Sequence, residues 1–208
     1  MNGATVVFDV WSDYLCPWCN VAATRLAALE REFEGALVLR WKSYLLRPRP
    51  EPDRDLEKFR RYTESWRRAA EEEPSARFQV WSSEEGPPTH SVPAHLVAKA
   101  AAELGPGAFA SIHAALLRAY FAQSRDISQP ETLAALWREA GLPEAGLARA
   151  AEPELLQRVI AEHDEATLLG VGGVPAVRLA DSDVAITGAQ PTESYRRWIR
   201  KVLEENAS

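Results

Sequence analysis

Residues Ser12–Phe33 read SDYLCPWCNVAATRLAALEREF and hold both cysteines of a 208-residue chain, Cys16 and Cys19. A disulfide between them would close a loop too small to constrain the unfolded chain usefully, so the pair is not a staple. The run before it, TVVFDVW (Thr5–Trp11), is rich in β-branched and aromatic residues and predicts a strand. From Pro17 the period changes. Leu26, Leu29 and Phe33 recur at helical spacing, and Gly35 ends the helix. ALVLRWKSYLL (Ala36–Leu46) predicts a second strand. The order is βαβ, with the cysteines at the first strand-to-helix turn.

That position has a chemical consequence. A helix N-terminus carries unpaired N–H groups and the positive end of the helix dipole. A thiolate there is stabilised, and its pKa falls from about 8.5 to roughly 3.5–7.5. Pro17 suits the first helical position, where no N–H is needed. Cys16 is therefore expected at the exposed mouth of the helix, ionised, and Cys19 one turn in and more buried. This arrangement suits attack by Cys16 on a disulfide and release by Cys19. Trp18 between them offers no positive charge, so a weaker thiolate stabilisation is expected than a histidine would supply. Two other readings compete. Half a zinc site would need two more ligands. The four histidines are His90, His95, His113 and His163, and the His90/His95 pair lies far beyond the ~12–15-residue loop of a zinc finger. Two inert buried thiols would not require a proline at the helix start.

Beyond the βαβ unit, RPRPEPDRD (Arg47–Asp55) carries Pro48, Pro50 and Pro52 and can continue neither strand nor helix. A charged helical run follows, DLEKFRRYTESWRRAAEEE (Asp55–Glu73), with Leu56, Phe59, Tyr62 or Thr63, and Trp66 on one side. Its arginines are balanced by glutamates, as on a solvated face. SSEEGPPTHSVP (Ser82–Pro93) reads as a loop. Four further helical segments begin near Ala94, Ala108, Pro130 and Pro153. Strand signals return only at VPAVRLA (Val174–Ala180) and VAITGA (Val184–Ala189), with a hairpin at Asp181, Ser182 and Asp183. A helix starting near Pro191 closes the chain, with Tyr195, Trp198, Ile199 and Val202 as its apolar stripe. The expected architecture is an α/β domain, βαβ followed by ββα, interrupted by a large α-helical insertion. The α/β part comprises residues 1–47 and 164–208, and the insertion residues 48–163.

The net charge of −6 lacks the basic footprint that nucleic-acid binding leaves. No Lys or Arg precedes Arg25, and Asp9 breaks the first apolar run, so neither a secretory signal nor a bilayer-spanning stretch is expected. With Met1 at the start, a cytoplasmic location is expected.

The segments SDYLCPWC (Ser12–Cys19), GVGGVPAV (Gly170–Val177) and ITGAQP (Ile186–Pro191), in that order, carry a resemblance. The chain resembles the DsbA-like branch of the thioredoxin superfamily, and is similar to the FrnE-type cytosolic DsbA-like oxidoreductases. The resemblance runs end to end and implies a thioredoxin-like fold. It implies Cys16 as nucleophile and Cys19 as resolving thiol. It further implies Pro175 as the family's cis-proline facing the cysteines, with the backbone of Val174 pairing with an extended substrate. Pro17, Trp18, Val174 and Pro175 are then the substrate-contacting residues. The implied activity is reduction, oxidation or isomerisation of protein disulfides through a mixed disulfide. Protein thiols or disulfides, or glutathione, would be the partners. No cofactor or metal is expected, because the electrons reside on two sulfurs. The same fold also hosts glutathione-dependent 2-hydroxychromene-2-carboxylate isomerases and kappa-class transferases, which use a hydroxyl where this chain has Cys16. A non-catalytic peptide-binding module is a third reading. The sequence departs from the family at Asn20, where an aromatic residue is common, and in lacking a second cysteine pair.

Other polar residues admit roles at the site. Asp9, flanked by Val7, Phe8, Val10 and Trp11, is a candidate acceptor for the Cys19 proton, set against a plain structural role. Asp13 would raise the thiol pKa if close, or shape the turn. His95 is a groove contact or a structural histidine. Trp18, Trp81, Pro87 and Pro88 are candidates for an apolar groove or for core. Gln190 is expected to cap the last helix.

Overall fold

The computed structural model describes residues 5–180 and 182–206; Met1 and Asp181, used in the sequence reading, lie outside them. Four strands form one sheet: β1 (Val6–Ser12), β2 (Leu37–Ser43), β3 (Ala176–Leu179) and β4 (Ala185–Thr187). Their order is β2-β1-β3-β4, with β2 parallel to β1 and the other pairs antiparallel. The crossover helix α1 (Pro17–Glu32) packs on one face, beside the C-terminal helix α9 (Thr192–Asn206).

Strand alternation decides what lies where. Val6, Phe8 and Val10 of β1 join Leu26 and Leu29 of α1 and Tyr195, Ile199 and Val202 of α9 in one buried cluster. Each fully buried leucine there contributes roughly 1.5–3 kcal/mol. Trp11 points to the opposite face, against Ala166 and Val171. Asp9 shares that face by the same alternation.

Between β2 and β3 come α2 (Leu56–Thr63), α3 (Trp66–Glu72), α4 (Val92–Glu103), α5 (Pro106–Gln123), α6 (Pro130–Glu139), the short α7 (Glu144–Leu147) with a 3-10 turn at Ala148–Ala151, and α8 (Pro153–Leu168). Their core includes Trp66, Trp81, Tyr120, Phe121 and Trp137, all essentially buried. The single helix expected over residues 55–73 is two. The N–H groups of Glu64 and Ser65 reach back three residues, to Arg61 and Tyr62, and the tightened turn ends α2. Phe59, Thr63 and Trp66 face inward, and Tyr62 is exposed. The division expected between residues 163 and 164 falls inside α8, one continuous helix that packs on β1 and β2. Trp11 Nε1 donates to the Glu162 carbonyl there at 2.9 Å.

Candidate active site

β1 delivers the chain into a tight turn before α1. The Asp13 carboxylate shapes it, accepting the N–H of Leu15 at 2.6 Å and that of Leu46, beyond β2, at 2.8 Å. Cys16 sits at the N-cap of α1 in extended conformation, with Pro17 next. The first-turn N–H groups of Trp18 and Cys19 also serve its sulfur, the latter while donating to the Cys16 carbonyl at 3.0 Å. The Cys16 thiol is held below its usual range chiefly by a hydrogen bond from Cys19, helped by those N–H groups. Burial and the nearby Asp13 charge oppose the shift. The Cys19 thiol is pushed well up, by burial first and by its shared bond with Cys16 second. The N–H of Asp13 (3.5 Å) and the hydroxyl of Ser12 bind its sulfur and offset part of that rise.

Cys16 is only 6% exposed, not the open residue expected at a helix mouth, because the segment before β3 covers it. The Cys16 thiol donates to the Val174 carbonyl at 3.4 Å, and the Val174–Pro175 peptide bond is cis. Pro17 is half-buried and Trp18 is 39% exposed beside the dithiol.

Asp9 is elsewhere, which corrects its expected place near Cys19. Register sets it directly between Arg40 of β2 and Arg178 of β3. Its oxygens lie 2.8 Å from Arg40 Nε and 2.7 Å from Arg178, with Lys42 at 3.6 Å. Burial works to raise its pKa, but the Arg178 and Arg40 hydrogen bonds prevail and the carboxyl is lowered. It is the buried anion of a charge cluster, joined by Glu165, on the sheet face away from α1.

Asp13 and His95 were weighed from the sequence, but Tyr14 and His113 were not singled out by their pattern. Tyr14 hydrogen-bonds His113 Nδ1 of α5 at 2.9 Å, and His95 Nε2 of α4 lies 3.8 Å from the Asp13 carboxylate. Burial above all pushes His113 down to about 3, so it is neutral. The only available signal was the closeness of Ser12, Asp13 and Tyr14 to Cys16 in sequence; the histidines arrive from the insertion. Trp81 is core rather than groove, and Pro87 and Pro88 are buried with it. Gln190 Nε2 donates to the Thr187 carbonyl at 3.1 Å, so its side chain steadies the end of β4 and does not cap α9. One cleft of about 740 Å³ opens beside Leu15, and another of about 690 Å³ beside Asn20. Among the described residues, no group of three or more His, Cys, Asp and Glu side chains is placed to hold a metal ion. Among the same residues, no helix is long and apolar enough to cross a membrane.

Comparison with curated protein sequences gives no match. Solved structures match along nearly the whole chain. A protein of Nitrosomonas europaea superposes with TM-score 0.80 at 21% identity, over 97% of this chain and 98% of that one. The cytosolic disulfide reductase DsbM of Pseudomonas aeruginosa, solved with GSH, gives TM-score 0.77 at 22% identity, over 95% and 99%. A 2-hydroxychromene-2-carboxylate isomerase gives TM-score 0.66 at 14% identity, over 97% and 98%. These likenesses establish a shared fold. The sequence model of the DSBA-like thioredoxin domain matches residues 7–200, nearly the full length. The chain belongs to the DSBA-like thioredoxin domain family.

Proposed function

We propose that this protein is a thiol-disulfide oxidoreductase of the FrnE-type, DsbA-like kind, acting in the cytoplasm on protein disulfides with glutathione as thiol partner. One observation carries the reading: two sulfurs in contact at a helix N-terminus, one with its pKa lowered and the other with its pKa raised. In this scheme the Cys16 thiolate attacks a substrate disulfide and forms a mixed disulfide. Cys19 then attacks the Cys16 sulfur and releases the reduced substrate. Pro17, Trp18, Val174 and Pro175 frame the sulfur that the substrate must reach. In a reducing compartment the flow favours reduction or isomerisation, and glutathione returns the dithiol to its reduced form. DsbM, which shares the fold, is a cytosolic disulfide reductase solved with GSH.

The test is equilibration in glutathione redox buffers followed by thiol trapping. A reversible Cys16–Cys19 transition between about −120 and −270 mV is expected. Absence of a reversible disulfide in that window would reject the proposal. The isomerase fold supports a second, glutathione-conjugating reading. It expects activity to survive Cys16→Ser, because that chemistry runs on a hydroxyl. The oxidoreductase reading expects insulin reduction to vanish in the same variant.

A further inference from the structure

Resolving a mixed disulfide requires Cys19 to lose its proton, and Asp9 is on the wrong face of the sheet to take it. The end of β1 meets the Cys19 sulfur: the Asp13 N–H lies 3.5 Å from it, and the neighbouring Ser12 hydroxyl hydrogen-bonds it. Ser12 also lines a cavity of about 10 Å³ between the sheet and the helical insertion. That is room for one water molecule. Ser43, His95 and His113 line the same cavity. All three are more than nine-tenths buried. Ser43 Oγ, His95 Nε2 and His113 Nε2 are three of the five buried side-chain polar atoms without a partner among the described residues. These three residues line one water-sized space, and a water there, which needs two to four polar partners, would give each of the three atoms one.

Resting on the oxidoreductase reading of Cys16 and Cys19, we propose that one water held by Ser43, His95 and His113 carries the Cys19 proton from Ser12 to His95. Asp13 steadies the imidazolium that forms, with its carboxylate 3.8 Å from His95 Nε2. His95 rather than His113 is the acceptor, because Asp13 lies against the former and the positive Lys99 disfavours charge on the latter. The other charged and titratable groups around the cavity are Tyr14, Lys42 of β2 and Lys99 of α4. Glu162 of α8 lies 2.6 Å from Lys99 and offsets its charge. In the step itself the Cys19 S–H bond breaks and the Cys16–Cys19 S–S bond forms. The bond from Cys16 to the substrate sulfur breaks, and its electron pair leaves with the substrate thiolate. The proton passes to Ser12 Oγ as Ser12 gives its own to the water, and the water gives one to His95. The dithiol is oxidised by two electrons and the substrate disulfide is reduced by two. Cys19 and Ser12 touch the reacting atoms; His95, Ser43 and His113 are positioning residues.

The reduced protein is mixed with dithiobis-nitrobenzoate. Cys16 releases one thionitrobenzoate in a first phase, and Cys19 releases a second in the resolving phase. Ser12→Ala and His95→Gln are expected to slow the second phase by about 10²-fold and change the first by less than about twofold. Ser12→Thr, which keeps the hydroxyl, is expected to restore the second phase. Ser43→Ala, remote from the sulfurs, is expected to slow it by about tenfold, and tests the water site if the other variants fold poorly. A second phase unchanged in these variants, or a Ser12→Ala defect that Ser12→Thr does not rescue, overturns the relay and leaves the oxidoreductase reading standing. A wild-type protein with no second phase overturns that reading, and the relay with it.

Discussion

The Cys19 thiol donates to the Cys16 sulfur, and what else each touches drives their proton affinities apart. Cys16 gains N–H donors from the first turn of α1. Cys19 is enclosed, with no exposed surface.

The first prediction is a split titration. Alkylation of Cys16 follows its thiolate and should have its midpoint below the ordinary thiol value of 9.0, and that of Cys19 well above it. Stability of the reduced protein carries the same sign. A lowered Cys16 pKa adds stability that is absent below the folded pKa, grows as pH rises, and is complete above 9.0. Iodoacetamide kinetics against pH, read by mass spectrometry of the two peptides, checks it. Equal midpoints for the two cysteines would refute it.

Removing the resolving thiol should stall the cycle. Cys19→Ala is expected to accumulate a mixed disulfide on Cys16 with glutathione or a protein thiol, with steady-state turnover lowered at least ~10²-fold. Intact mass after acid quenching reads the adduct directly.

Asp9 should matter to stability rather than to chemistry. Asp9→Asn removes the buried one of two carboxylates that Arg178, which is 13% exposed, and Lys42 share, and leaves them Glu165. A loss of about 2–3 kcal/mol is expected, less than for a fully buried pair because Arg40 is half-exposed. Because the folded carboxyl lies below the unfolded value of 3.8, the contribution is full above that value and disappears as pH falls through the folded pKa. Urea midpoints of the two proteins should therefore converge in acid, while thionitrobenzoate release at neutral pH stays within about twofold.

A fourth prediction concerns the join between sheet and insertion. The buried guanidinium of Arg25 on α1 donates to the carbonyls of Glu72, Ala189 and Gln190 at 2.6, 3.3 and 3.0 Å, and to the Glu73 carboxylate at 3.2 Å. One side chain thus ties α1 to the end of α3 and to the turn before α9. Arg25→Ala should cost about 3–5 kcal/mol, and Arg25→Lys most of that, since an ammonium cannot span the same fork. Thermal melts of both variants check it. A Lys variant as stable as the parent would show that charge alone suffices.

The αβ frame was legible because its signals are local. The β-branched and aromatic run from Thr5 to Trp11, the helical spacing of Leu26 and Leu29, and the proline after Cys16 each act within one turn or one strand. Chemistry followed for the same reason: two thiols at a helix N-terminus need only neighbouring residues to be told apart. The break at Glu64–Ser65 was not legible, since apolar spacing continues across it and only backbone hydrogen bonds end α2.

Pairings across the chain were left to the tertiary structure. Asp9 reads in sequence as a carboxylate near cysteines. Strand register instead set it between Arg40 and Arg178, residues far apart along the chain, and strand alternation turned it from α1. Cys16 reads as exposed until Val174 is folded over it. The Ser12–His95 cavity exists only where the insertion docks on β1 and β2. Short-range periodicity and helix electrostatics are written residue by residue, so the sequence alone determined the dithiol turn. Which buried charges and histidines meet depends on register and docking, so only the fold decided those contacts.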